Sequence, residues 1–126
     1  MQNRIIKNLF VKDWFTPTVT LHSDLQMLQV HDIFRSKVSQ FVYKCVTGRM
    51  PSVFQNYYKT VNQTHNHCTR QSKKLHVVKT RTKMGEKSMR IIGAKMYNDL
   101  PTSITECKSV QSFKQKLKLH ILESYV

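Results

Sequence analysis

The chain has 126 residues, of which 40% are hydrophobic and only 3 are Gly and 3 Pro, which excludes a disordered tail, a collagenous chain and a flexible linker. Lysine and arginine number 21 against 7 aspartate plus glutamate, for a net charge of +14. That balance argues against cationic ligands and against a hydrolase built on several carboxylates, and for a polyanion such as RNA, DNA or an acidic membrane.

Ile5, Ile6, Leu9 and Phe10 recur at helical spacing over roughly residues 3–11, with Arg4, Lys7 and Lys12 turned outward. Thr16-Pro17-Thr18 is expected to end that helix, because proline lacks the donor a helix needs. Ser23 is the predicted N-cap of the next element, with Leu25 and Leu28 opening a short apolar stripe. The clearest helix comes next: Val30, Phe34, Val38, Phe41, Val42 and Cys45 recur at steps of three or four. Gly48 is its predicted C-cap and Pro51 lies just beyond. Residues 53–61, with Phe54, Tyr57, Tyr58 and Val61, predict a further short helix.

From Asn62 to Lys74 the apolar period vanishes and a polar loop is expected. Leu75 to Thr82 mixes β-branched and basic residues, as an extended segment, a weak strand or a short β-hairpin would, with Gly85 as a turn. Helical spacing returns from Ile91 to Leu100 and stops at Pro101; Ser109 then caps a last helix whose apolar face is Val110, Phe113, Leu117 and Ile121, with Lys114 and Lys118 on another face. The expectation is a mainly α, single small domain over residues 1–126. It comprises a helical half (1–61), a basic loop or extended segment (62–90) and C-terminal helices (91–123).

Cys45, Cys68 and Cys107 are odd in number and widely spaced, which fits a reducing compartment better than a disulfide framework. The N-terminus has charge inside its apolar run and no small-residue cleavage site, and no stretch approaches the roughly 18 apolar residues of a membrane span. A soluble cytoplasmic or nuclear protein without a membrane partner is expected.

The charge is concentrated. Residues 70–95 carry Arg70, Lys73, Lys74, Lys79, Arg81, Lys83, Lys87, Arg90 and Lys95 against the single acid Glu86, over half of the net excess. Cations at this density neutralise phosphates and release counterions. Alternation in Lys79-Thr80-Arg81-Thr82-Lys83 would set three cations along one edge of an extended strand, about 7 Å apart. That spacing is comparable to a nucleic-acid phosphate repeat; a solvated basic segment without a ligand is the alternative.

Other constellations are weaker. His65, His67 and Cys68 crowd together, but zinc needs four ligands in paired spacing and Cys45 and Cys107 each stand alone, so a polar loop or RNA-contacting turn is expected rather than a metal site. The aromatics Phe34, Phe41, Tyr43, Phe54, Tyr57 and Tyr58 suit a core, with Tyr57 and Tyr58 the better candidates for base stacking because neighbours cannot both face one core. The acids are isolated, no glycine-rich phosphate loop occurs, and no cofactor or catalytic residue is implied.

Several stretches together resemble a known family. Gln2-Asn3-Arg4-Ile5-Ile6, Phe41-Val42-Tyr43-Lys44 and Gly48-Arg49-Met50-Pro51 are similar to the region downstream of the polymerase core in LINE-type (non-LTR) retrotransposon reverse transcriptases. His67-Cys68-Thr69-Arg70, Lys79 to Gly85 with Ser88, Gly93 to Pro101, and Ser109 to Lys118 look like that family's C-terminal tail, in order and at ordinary spacing. Tyr97 stands where the family usually has Trp, and Cys68 where Asn is frequent. The paired aspartates of the polymerase site are missing, as is the endonuclease half, so the chain resembles a non-catalytic C-terminal fragment of an RNA-directed DNA polymerase. The resemblance implies a helical, basic thumb-side or post-thumb module that helps hold RNA and DNA during target-primed reverse transcription. Its partners would be nucleic acid and the rest of such an enzyme. It assigns nucleic-acid contact to Arg70, Arg81 and Lys83, and turn or helix-end roles to Gly85, Gly93, Asn98, Leu100 and Pro101. A protein-interaction module and the inert product of a decayed retrotransposon frame are the alternatives.

Overall fold

The computed structural model describes residues 1–10, 13–65 and 69–125, and in them it is mainly helical. Among the described residues eight α-helices run in the order α1 (Gln2–Leu9), α2 (Thr18–Asp24), α3 (Val30–Val46), α4 (Val61–Thr64), α5 (Lys83–Glu86), α6 (Met89–Asn98), α7 (Thr102–Thr105) and α8 (Val110–Glu123). The three longest, α3, α6 and α8, follow the predicted apolar periodicity, and they carry most of the core. Val38, Val42 and Cys45 on α3 are buried against Ala94 and Tyr97 of α6 and Phe113, Leu117 and Ile121 of α8. Tyr43 stacks on Phe113 with ring centroids 4.2 Å apart, an arrangement that adds about 1 kcal/mol to its burial. The Tyr43 hydroxyl donates to the Cys107 carbonyl, so its buried oxygen is satisfied. Close approach of α6 depends on Gly93: a Cβ there would strike the Tyr58 hydroxyl and lie 2.9 Å from Val42 Cγ2.

The two ends of α3 are closed by different means. At its C-terminus Gly48 takes φ +69°, and the Gly48 and Arg49 amides donate to the Cys45 and Lys44 carbonyls, the predicted glycine cap. At its N-terminus the caps come from far along the chain. The Val30 amide donates to Gln2 Oε1 (3.0 Å) and the Gln29 amide to the Tyr125 hydroxyl (3.0 Å), while that hydroxyl donates to Asp32 Oδ2 (2.5 Å). Buried His22 joins α1 to α2, with Nε2 2.9 Å from Asn3 Oδ1 and Nδ1 3.3 Å from the Met27 carbonyl.

Three expectations are corrected, and one of the alternatives for the basic segment is decided. Ser23 is not an N-cap: it lies in the last turn of α2, which opens immediately after Pro17, whose carbonyl accepts from Leu21. A proline before the first turn loses no helical hydrogen bond there. Residues 53–61 do not form one helix. A 3-10 turn at Ser52–Phe54 gives way to irregular chain, and Val61 begins α4, which Thr60 and Gln63 close with a capping box and which runs into the expected polar loop. Gly85 is not a free turn but lies within α5. No hairpin forms among the described residues: the extended segment makes one isolated antiparallel bridge, Thr60 with Leu75.

The apolar periodicity of α1 does not make it a core helix. Ile6 is buried, but Ile5, Leu9 and Phe10 are exposed, as are Trp14 and Phe15 beyond them. No helix of the described residues is long and apolar enough to cross a membrane.

Candidate nucleic-acid interface

The basic segment is anchored at one end and open at the other. Leu75 is buried, and the Asn98 side chain pairs with its backbone as a neighbouring strand would: Oδ1 accepts from the Leu75 amide and Nδ2 donates to the Leu75 carbonyl, both at 2.8 Å. On the other side the His76 amide donates to the Lys59 carbonyl (2.8 Å) and the Val61 amide to the Lys74 carbonyl (2.9 Å). Both backbone groups of buried Leu75 are thereby paired. Val77 still packs on the core, and from Val78 the chain is exposed.

Lys79 and Thr80, in no regular element, lead to a bend at residues 81–82, where Thr82 becomes the N-cap of α5: its Oγ1 accepts from the Gly85 amide at 3.1 Å. The expected row of Lys79, Arg81 and Lys83 along one strand edge is therefore corrected. The alternation breaks at the bend, and Lys83 projects from a helical turn. The physical reason is the Thr82 hydroxyl, which satisfies an orphan helix amide more effectively than an unpaired strand edge can.

All nine predicted cations are exposed, but the fold groups them unevenly. Lys79 and Lys95 come together from the extended segment and α6, on opposite sides of a shallow groove of about 290 Å³ over Val77 and Ile91. Glu86 is the one acid lining it. Lys73 and Lys74 lie apart, in a second depression floored by Leu75 and Tyr97, where Lys73 Nζ stands 3.9 Å from Glu106. Among the described residues Lys73 alone of the nine pairs with a carboxylate, and at full exposure such a pair is worth little. Arg90 sits over the Tyr57 ring, 5.8 Å from its centroid. Arg70, Arg81, Lys83 and Lys87 line neither depression.

The stacking candidates separate. Tyr58 is buried and its hydroxyl donates to the Met89 carbonyl (2.9 Å), which removes it from base contact and corrects that expectation. Burial also pushes its ionisation up, with Tyr57 and Cys45 adding to the shift. Tyr57 is half-buried against Phe41, Phe54 and Tyr58. Tyr43 belongs to the core, and Phe34 is exposed.

His67 and Cys68, from the weighed metal constellation, lie outside the described residues; His65 packs edge-on to His76 with centroids 5.9 Å apart. Among the described residues no three His, Cys, Asp or Glu side chains gather where a metal ion could sit. A cationic cluster missing from the expectations lies elsewhere: Lys37 of α3 and Lys114 and Lys118 of α8 line one groove. The α8 pair is visible in the sequence as an i, i+4 repeat, but Lys37 is far away along the chain.

Comparison of the chain with models of known families, with curated proteins and with solved structures finds no match.

Proposed function

We propose that the chain is a non-catalytic nucleic-acid-binding module that holds RNA or DNA by its phosphate backbone, without sequence preference. In this reading it corresponds to the C-terminal part of a LINE-type reverse transcriptase and supports target-primed reverse transcription from outside the polymerase centre. The observation that carries the proposal is the exposure of nine cations within residues 70–95 with a single carboxylate pair among them at the described residues. Cations neutralised by protein carboxylates release no counterions from a nucleic acid; these remain available to do so. In support of the reading, Lys79 and Lys95 line one groove together, with Glu86 as its one acid, and Arg81 is exposed at the bend just beyond Lys79.

Reversing Arg81 and Lys83 to Glu tests this. Both are exposed and neither pairs with a carboxylate among the described residues, so the fold should survive. Anisotropy titrations should show weaker binding by a similar factor for RNA and DNA of every sequence; a loss confined to one sequence would contradict the backbone mechanism.

A second reading, a protein-interaction module, is favoured by one observation. Ile5, Leu9, Phe10, Trp14 and Phe15 are all exposed near the N-terminus, and large exposed apolar side chains gathered in one stretch are a mark of association. Mass that rises with concentration in light scattering, together with binding insensitive to salt, would favour it over the nucleic-acid reading.

A further inference from the structure

The groove between α3 and α8 is chemically distinct from the basic surface of residues 70–95. Lys37 projects from α3, and Lys114 and Lys118 from α8, around a depression of about 290 Å³ with Leu28 and Ile33 in its lining. No residue of α5, of α6 or of the basic segment lines it. By contrast, the cavity on the other flank of the same helix pair, lined by Arg35, Ser39, Leu117 and His120, includes Met96, Asp99 and Leu100 from the α6 side. The lysine groove therefore opens on the flank of the α3–α8 seam that turns away from α6.

All three lysines are exposed, no acid lines the groove, and none of the three pairs with a carboxylate among the described residues. Lys114 and Lys118 are one helical turn apart, about 6 Å along the axis, a separation suited to successive phosphates of one strand. Lys37 faces them from the other wall. The aliphatic surface of Leu28 and Ile33 can meet base faces, while Gln40, held by its Nε2 bond to Ser36 Oγ (3.0 Å), supplies a fixed amide. A rim of three cations with no carboxylate in the lining suits the phosphates of a strand, and the nucleic-acid reading of the chain favours that occupant over an acidic peptide.

We infer that the α3–α8 groove is a second nucleic-acid contact, so that one chain holds two strands at once, one there and one on the basic surface of residues 70–95. The inference rests on the nucleic-acid reading, yet it concerns different residues and fails separately from it.

The test uses the full chain and two short oligo(dT) probes, one carrying a fluorescence donor and the other an acceptor. The intact protein should bring them together and generate energy transfer at two strands per chain. Lys37→Gln/Lys114→Gln/Lys118→Gln should abolish the transfer, retain binding of one strand, and flatten the plot of log affinity against log salt by about 2 to 3. Arginine at the same three positions should restore the transfer. Circular dichroism and the thermal midpoint confirm that the variants fold. Transfer and slope unchanged in the glutamine variant would overturn the inference. Loss of poly-glutamate binding with oligo(dT) binding intact would also overturn it, by assigning the groove to an acidic protein. If Arg81→Glu/Lys83→Glu leaves the slope unchanged while the groove variant flattens it, the first surface fails and the second stands. If the intact chain binds no oligo(dT) at any salt, both fall.

Discussion

Asn98 shows how much a single side chain can settle. Its amide supplies both hydrogen bonds that a neighbouring strand would give Leu75, so it fixes where the extended segment leaves the core. Replacing it with Ala leaves a backbone donor and acceptor of a buried residue without partners, and Asn98→Ala should destabilise the fold by about 2 to 3 kcal/mol in urea denaturation. Tyr97, one position earlier, is buried, and burial together with the neighbouring Tyr43 and Cys107 raises its ionisation from 10.0 to about 12. Below pH 10 both folded and unfolded chains keep this proton, and its contribution to stability is complete. Between pH 10 and about 12 only the unfolded chain loses it, so stability falls with rising pH, by on the order of 2 kcal/mol from this group. Unfolding curves across that range should show a smaller decline in Tyr97→Phe than in the parent chain. The sequence points Asn98 toward a turn or helix-end role, and the structure instead shows its side chain paired with the Leu75 backbone. Which backbone it holds lies 23 residues away and has no local signal.

Helix ends explain where sequence reading succeeds and where it misplaces elements. All three prolines look like stop signals, yet Pro17, Pro51 and Pro101 each stand immediately before a helical turn: α2, the 3-10 turn and α7. Proline is compatible with both positions, because a first turn needs no donor from it. Caps made by the expected residue type were legible. Gly48 closes α3 with a left-handed φ, and Ser109 opens α8 by accepting from the Ser112 amide at 3.1 Å. The end of α2 was not, because Gln26 rather than Gly takes φ +50° there, with the Gln26 and Met27 amides donating to the Ser23 and His22 carbonyls. An L side chain in that conformation costs roughly 1 kcal/mol. Since Gln26 is exposed, Gln26→Gly should raise stability by about that amount, measured as a higher thermal midpoint with no loss of helicity. The N-terminus of α3 was equally silent, since its caps are side chains of Gln2 and Tyr125.

At the scale of the whole molecule, the periodic helices α3, α6 and α8 carry the core, and their buried faces were written in the spacing of Val38, Val42, Ala94, Phe113 and Leu117. Charge concentration was legible too, because it needs only counting. The division of those charges was not: Lys79 meets Lys95 across a groove, Lys73 faces Glu106, and Lys37 joins Lys114 and Lys118 only because helices distant in sequence pack side by side. The exposed apolar surface around α1 escaped the periodicity as well, since an amphipathic pattern reports a face without reporting what covers it. The proposal that these cationic surfaces hold nucleic-acid strands depends on phosphate contact. Its most direct test is a titration of the intact chain against a fluorescent RNA hairpin and a single-stranded DNA of equal length over a salt series. With about six phosphates contacted, affinity should fall roughly a thousandfold between about 50 and 200 mM salt. A folded chain whose affinity does not change with salt, or that binds neither probe at low salt, would contradict it.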